Sequence, residues 1–147
     1  RLVGETGHVD AFDVQEQALA ETRALLEQEG VLSRAGLHLL GHERMADVVA
    51  PGIRLAAFNL GWLPGSDKSL TTQTNTTLQA VSAALELLAP GGLAVVCCYP
   101  GHAEGQRELD ALAAFTAALP PQRFTALRQD FINAGPGAPV NFLIEKQ

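Results

Sequence analysis

From Leu93 to Tyr99 every residue is apolar or aromatic, and Pro100-Gly101-His102 then breaks the run. A short apolar stretch bounded by turn residues reads as a strand buried on both faces, the signature of a central strand in a parallel sheet. Parallel neighbours cannot be joined by a tight turn, so such a strand demands crossover connections, usually helices. The chain supplies them in alternation. His8 to Phe12 reads as a strand with Asp13 at its end, and Gln15 to Glu29 carries Ala18, Leu19, Thr22, Leu25 and Leu26 at helical spacing before Gly30. Leu37 to Leu40 is a second strand closed by Gly41-His42, Glu43 to Ala50 a short helix, and Leu55 to Asn59 a third strand. Thr74 or Asn75 suits the N-cap of a helix running to Leu88, with Leu78, Val81, Leu85 and Leu88 inward. Ala89-Pro90-Gly91-Gly92 makes a sharp turn into the run at Leu93, and Glu104 to Leu119 is helical up to Pro120-Pro121. Phe124 to Ile132 and Val140 to Glu145 flank Gly135-Pro136-Gly137 as a hairpin-like pair. The expected fold is α/β: a Rossmann-like doubly wound sheet, mostly parallel, with an antiparallel C-terminal strand.

The 147 residues suit a single domain over 1–147, and a hydrophobic content of 47% supports a substantial core. A formal net charge of −6 argues against a generally basic protein that coats nucleic acid, though not against a local basic patch. Cys97 and Cys98 are adjacent within a strand and so point to opposite faces. They read as two buried thiols rather than a disulfide, which fits a reducing cytoplasm. No apolar stretch approaches the roughly 20 residues of a membrane span, so the expectation is a cytoplasmic protein with no membrane partner and no signal peptide. The sequence opens on Arg1 rather than Met, and the start is expected to lie upstream.

Ligands of open α/β sheets sit at the carboxyl ends of the strands, where this chain places its polar residues. Asp13 ends the first strand, where an acid can accept hydrogen bonds from both ribose hydroxyls of a nucleoside cofactor, or can cap the helix at Gln15. Gly41-His42-Glu43 closes the next strand, and His42 either lines an adenine pocket or is a half-buried loop histidine. Asn59-Leu60-Gly61-Trp62 resembles the corner at which nitrogen-directed methyltransferases present an amine. An amide carbonyl and the next backbone carbonyl can accept the amine hydrogens and hold its lone pair in line, while Trp62 stacks on a heterocycle. The plainer alternative is a turn asparagine and a core tryptophan. Asp67 can take the amine proton or pair with its ammonium, and Lys68 can hold a phosphate, or the two form a solvated ion pair. Tyr99-Pro100-Gly101-His102 is expected to face the Asn59 loop, with His102 and Glu104 as a proton-handling or substrate-orienting pair. No ligand spacing supports a metal at His42, His102 and Asp13. No Walker loop or Gly-x-Ser-x-Gly elbow is present.

Taken together, several pieces resemble one family in order over nearly the whole chain. They are Ala11-Phe12-Asp13-Val14-Gln15, Gly41-His42-Glu43, Asn59 to Gly65 with Asp67-Lys68, Pro90-Gly91-Gly92, Tyr99-Pro100-Gly101-His102 with Gly105, and Phe131-Ile132-Asn133. The family is that of S-adenosylmethionine-dependent methyltransferases acting on the aminomethyl group of wobble 2-thiouridine in tRNA, long described as rRNA methylases. The resemblance implies a class I methyltransferase fold, S-adenosylmethionine as cofactor and tRNA as partner. It implies that Asp13 and Gln15 contact the ribose side of the cofactor, Gly41 and His42 the adenine side, and Asn59 the methyl-transfer centre, with Trp62, Lys68 and Tyr99 toward the substrate. Trp62 stands where the family usually has tyrosine, and Ser66 where it usually has glycine.

The family also has a first strand and a Gly- and Asn-containing acidic loop around the methionine part of the cofactor, and this chain begins just after them. The expectation is therefore an N-terminally truncated domain lacking its first, central strand, which would be unstable or would repair itself by direct strand pairing or as a homodimer. Two alternatives stay open: methylation of another RNA or a small-molecule amine, and a non-catalytic fragment.

Overall fold

The apolar run from Leu93 does form the spine of a sheet, and the strand built on it is longer than the run. The computed structural model describes residues 3–60, 74–135 and 137–147. Its elements are β1 (Val9–Asp13), α1 (Glu16–Gln28), β2 (Ala35–Leu39), a 3-10 turn (His42–Asp47), β3 (Ile53–Asn59), α2 (Thr74–Leu87), β4 (Leu88–Cys98), α3 (Ala103–Ala117), β5 (Phe124–Asp130) and β6 (Val140–Lys146). The chain divides into two compact units, residues 1–49 and 50–147, each with its own sheet.

In the first unit β1 and β2 pair in parallel, Val9 opposite Ala35 through Asp13 opposite Leu39. The connection is α1, whose end is set by Gly30 at φ +68°. There the Val31 N–H reaches the Leu26 carbonyl and the Gly30 N–H the Glu27 carbonyl, a Schellman ending that only a residue tolerant of positive φ closes without strain. No residue of α1 is fully buried: Ala18, Leu19 and Leu26 are half-buried, while Thr22 and Leu25 lie exposed. Met45 is the buried hydrophobic residue of this unit among those described.

The second unit carries the core. Its sheet runs β3-β4-β6-β5, with β3 and β4 parallel and β6 antiparallel to both neighbours. The final strand thus inserts between β4 and β5, leaving β5 at the edge. Alternate residues decide the burial. Ala94, Val96 and Cys98 of β4 and Val140, Phe142 and Ile144 of β6 are buried together with Val81, Ala84 and Leu85 of α2 and Leu109 and Leu112 of α3. On the opposite face Leu93, Val95 and Cys97 are only half-buried. The expectation of a strand buried on both faces is therefore corrected to one of alternating burial, as expected where helices cover one side of a sheet. Leu78, expected inward, is half-buried at the rim of α2, and Thr77 and Ala80 take the inward face instead.

The turn at Ala89-Pro90-Gly91-Gly92 is real but lies inside β4. Ile53 pairs with Leu88 and Leu55 with Leu93, so these four residues bulge out of the ladder, with Gly91 at φ +72°. Helix α2 begins at Thr74, so its N-cap falls outside the described residues; the Thr74 hydroxyl instead donates to Glu104 Oε1 at 3.5 Å. No helix among the described residues is long and apolar enough to cross a membrane.

Candidate active site

Parallel pairing brings the carboxyl ends of β3 and β4 side by side. Asn59 is the last residue of β3 and sits opposite Cys97, and the ladder continues one step through a 3.0 Å bond from the Leu60 N–H to the Cys97 carbonyl. Leu60 is buried, which pins the chain immediately after Asn59. Two residues beyond Cys97, on the same side of the strand, the Tyr99 hydroxyl donates to Asn59 Oδ1 at 3.0 Å. The expected approach of the Tyr99 segment to Asn59 is thus a direct hydrogen bond. A hydrogen bond with the Cys97 thiol is the largest of the effects that raise the Tyr99 pKa, followed by charge interaction with the same thiol and burial. The phenol accordingly stays a donor through the neutral range.

The segment after Tyr99 is shaped by close backbone approach. A Cβ on Gly105 would collide with the Tyr99 carbonyl, so only glycine lets α3 start this near the end of β4. His102 is the N-cap of α3, its Nδ1 accepting from the Gly105 N–H at 3.1 Å. Glu104 bonds to Arg107 at 3.0 Å and receives the Thr74 hydroxyl. Gly137, at φ +84°, leaves room for only 3.0 Å between a Cβ and the Gly101 Cα, so the β5–β6 connection lies directly on the turn after β4.

In the first unit the carboxyl ends of β1 and β2 gather the second set. The Leu40 N–H bonds to the Asp13 carbonyl at 3.1 Å, while Asp13 Oδ1 accepts from the Gln15 N–H at 2.8 Å. Asp13 therefore orders the strand-to-helix turn without being the N-cap, a position held by Gln15, which makes no side-chain cap bond. A carboxylate oriented in this way retains further acceptor sites, as a pair of ribose hydroxyls requires. Gly41 follows β2, and a Cβ there would meet the Glu43 carboxylate. His42 is held below the ordinary histidine pKa chiefly by burial, with Glu43 opposing. A neutral imidazole beside a side-chain-free turn suits the flat, uncharged face of a purine. These residues fit a nucleoside cofactor.

Trp62, Asp67 and Lys68 lie outside the described residues. Among the described residues no group of three or more His, Cys, Asp and Glu side chains is placed to hold a metal ion. Sequence reasoning treated Cys97 only as a buried thiol; strand register puts it, half-buried, opposite Asn59. It also passed over Asp10, which bonds to His38 Nε2 at 2.8 Å with His8 at 3.7 Å.

Residues 9–145 match the family described as "Putative rRNA methylase". The chain belongs to this family. A crystal structure of the same description from Clostridium thermocellum superposes with a TM-score of 0.95 at 37% identity, covering 99% of this chain and 78% of that one. The Streptococcus mutans protein SMU.1697c, solved in complex with SAH, gives a TM-score of 0.86 at 39% identity over 95% of this chain and 76% of its own. These matches bear out the class I methyltransferase fold. The chloroplastic tRNA (mnm(5)s(2)U34)-methyltransferase of Arabidopsis thaliana is 39% identical over 143 residues, 94% of this chain and 52% of that protein. This chain thus spans about half the length of that curated relative.

Proposed function

We propose that this chain belongs to an S-adenosylmethionine-dependent methyltransferase that methylates the exocyclic aminomethyl group of wobble 2-thiouridine in tRNA. The observation that carries this reading is Asn59 at the carboxyl end of β3, its amide oxygen held by Tyr99. Likeness to the Arabidopsis thaliana tRNA methyltransferase supports tRNA as the partner, and likeness to the SAH-bound Streptococcus mutans protein supports the cofactor.

Asp13 and Gln15 are assigned the ribose side of the cofactor, Gly41 and His42 its adenine side. When bound, the cofactor supplies a methyl carbon whose bond to sulfur breaks, the electron pair returning to sulfur, as the amine nitrogen bonds to that carbon. The chain's own work is to hold the amine. Asn59 Oδ1 and the Leu60 carbonyl accept its two hydrogens, leaving the lone pair in line for attack. Asp67 takes the proton released from the methylated ammonium, Trp62 stacks on the base, Lys68 meets a phosphate, and His102 fixes the turn that carries Tyr99.

Transfer of labelled methyl from S-adenosylmethionine to tRNA from a strain lacking the modification tests the proposal, and absence of transfer sinks it. A small-molecule amine acceptor is the second reading, favoured by the net charge of −6, which disfavours tight RNA binding. Labelling of a metabolite pool in place of tRNA would support it.

A further inference from the structure

We infer that Tyr99 is a positioning residue acting through Asn59: its hydroxyl fixes which edge of the Asn59 amide faces the acceptor amine. The inference rests on the reading that Asn59 presents that amine.

The asparagine amide needs such a device. Its terminal torsion is broad and roughly two-fold, and its oxygen and nitrogen edges are nearly alike in size, so packing alone does not choose between them. The two edges are opposite in chemistry. With Oδ1 toward the amine, Asn59 accepts an N–H and leaves the lone pair free. With Nδ2 there, it donates into the lone pair that must attack. A flipped amide would bind the acceptor and block the reaction.

Among the described residues, the hydrogen bond recorded at the Asn59 amide is the one from Tyr99. The backbone on both sides is fixed by pairing with Cys97 and by buried Leu60, so the freedom that remains is in the side chain. The Tyr99 hydroxyl donates to Oδ1 at 3.0 Å, so the oxygen edge is the one it engages. Oδ1 carries two lone pairs, and occupation of one leaves a single acceptor site for the amine. Tyr99 is itself held by the turn before α3, where Gly105 is pressed against its carbonyl.

The test is a double-mutant cycle on the full chain, with Y99F, N59A and the double variant assayed for methyl transfer to unmodified tRNA. Y99F is expected to lower kcat about tenfold, with tRNA KM and thermal melting unchanged, as misorientation at a reacting centre does. In the N59A background, Y99F should have no further effect on the residual rate. A second readout needs no activity: in nitrogen-edited NMR spectra of the ligand-free chain, the two Asn59 side-chain amide proton signals should shift and broaden in Y99F. Equal losses from Y99F in both backgrounds, or unchanged Asn59 signals, would overturn the inference. Failure of the N-terminally extended protein, with Tyr99 intact, to methylate tRNA would overturn the functional reading instead, and the NMR comparison would still decide whether Tyr99 orients Asn59.

Discussion

Glu108 of α3 and Thr77 of α2 share a 2.6 Å hydrogen bond, with Glu108 only 4% exposed and Thr77 wholly buried. A carboxyl group in such a seam resists ionisation. Burial is the main cause of its raised pKa, and nearby Glu104 adds to it, while the Thr77 hydroxyl opposes. Because the folded pKa lies above the unfolded one, the folded state holds the proton more tightly. Stability is then fully present below the unfolded carboxyl range, about pH 4.3, and falls as pH rises through the folded value. Chemical denaturation at pH 5 and pH 8 should show this loss, and E108Q, which cannot ionise, should abolish the contribution. T77V removes the hydroxyl donor and should cost about 1–3 kcal/mol.

Gly105 predicts a packing failure. Alanine there would drive its methyl into the Tyr99 carbonyl, so α3 must back away from the end of β4. G105A should lose about 1–3 kcal/mol, as overpacked sites do, with methyl transfer falling more steeply than stability. Melting curves and kcat measured on the same preparation check both.

Asp13 is predicted to act on cofactor affinity as well as on the turn it orders through the Gln15 N–H. Loss of charge-assisted hydrogen bonds is worth about 1.5–3 kcal/mol, so D13A should weaken S-adenosylmethionine binding about tenfold or more. Isothermal calorimetry gives the number. Unchanged affinity would remove Asp13 from the ribose assignment.

The two adjacent thiols should behave differently. Burial pushes the Cys98 thiol up to about 12, with the nearby Glu108 carboxyl contributing, so almost no thiolate is present at pH 8. Cys98 should resist a maleimide or disulfide reagent until the chain unfolds, while half-buried Cys97 reacts first. Peptide mapping after labelling distinguishes them.

Element order was legible in the sequence because turn residues and periodicity mark it locally. Gly30 stopped α1 where expected, and Asp13 and Asn59 ended their strands. Register and the faces of β4 were not legible. An unbroken apolar run carries no record of which side the helices cover, and the bulge at Ala89 to Gly92 depends on pairing with Ile53 and Leu55. The site divides in the same way. Asn59 and Tyr99 were visible as residues, but their hydrogen bond arises from two strands ending side by side, as does the position of Cys97 opposite Asn59. His102 and Glu104 read as a proton-handling or substrate-orienting pair, and the capping role of His102 was not visible because it depends on where α3 begins.

The insertion of β6 between β4 and β5 sets the order of assembly during synthesis. Both neighbours leave the ribosome before Val140–Lys146 does, and each must wait with an unpaired edge until that seven-residue strand arrives. The nascent protein is therefore prone to aggregate until Val140–Lys146 has been made, and a stop codon at Val140 should give an insoluble product rather than a slightly weakened one.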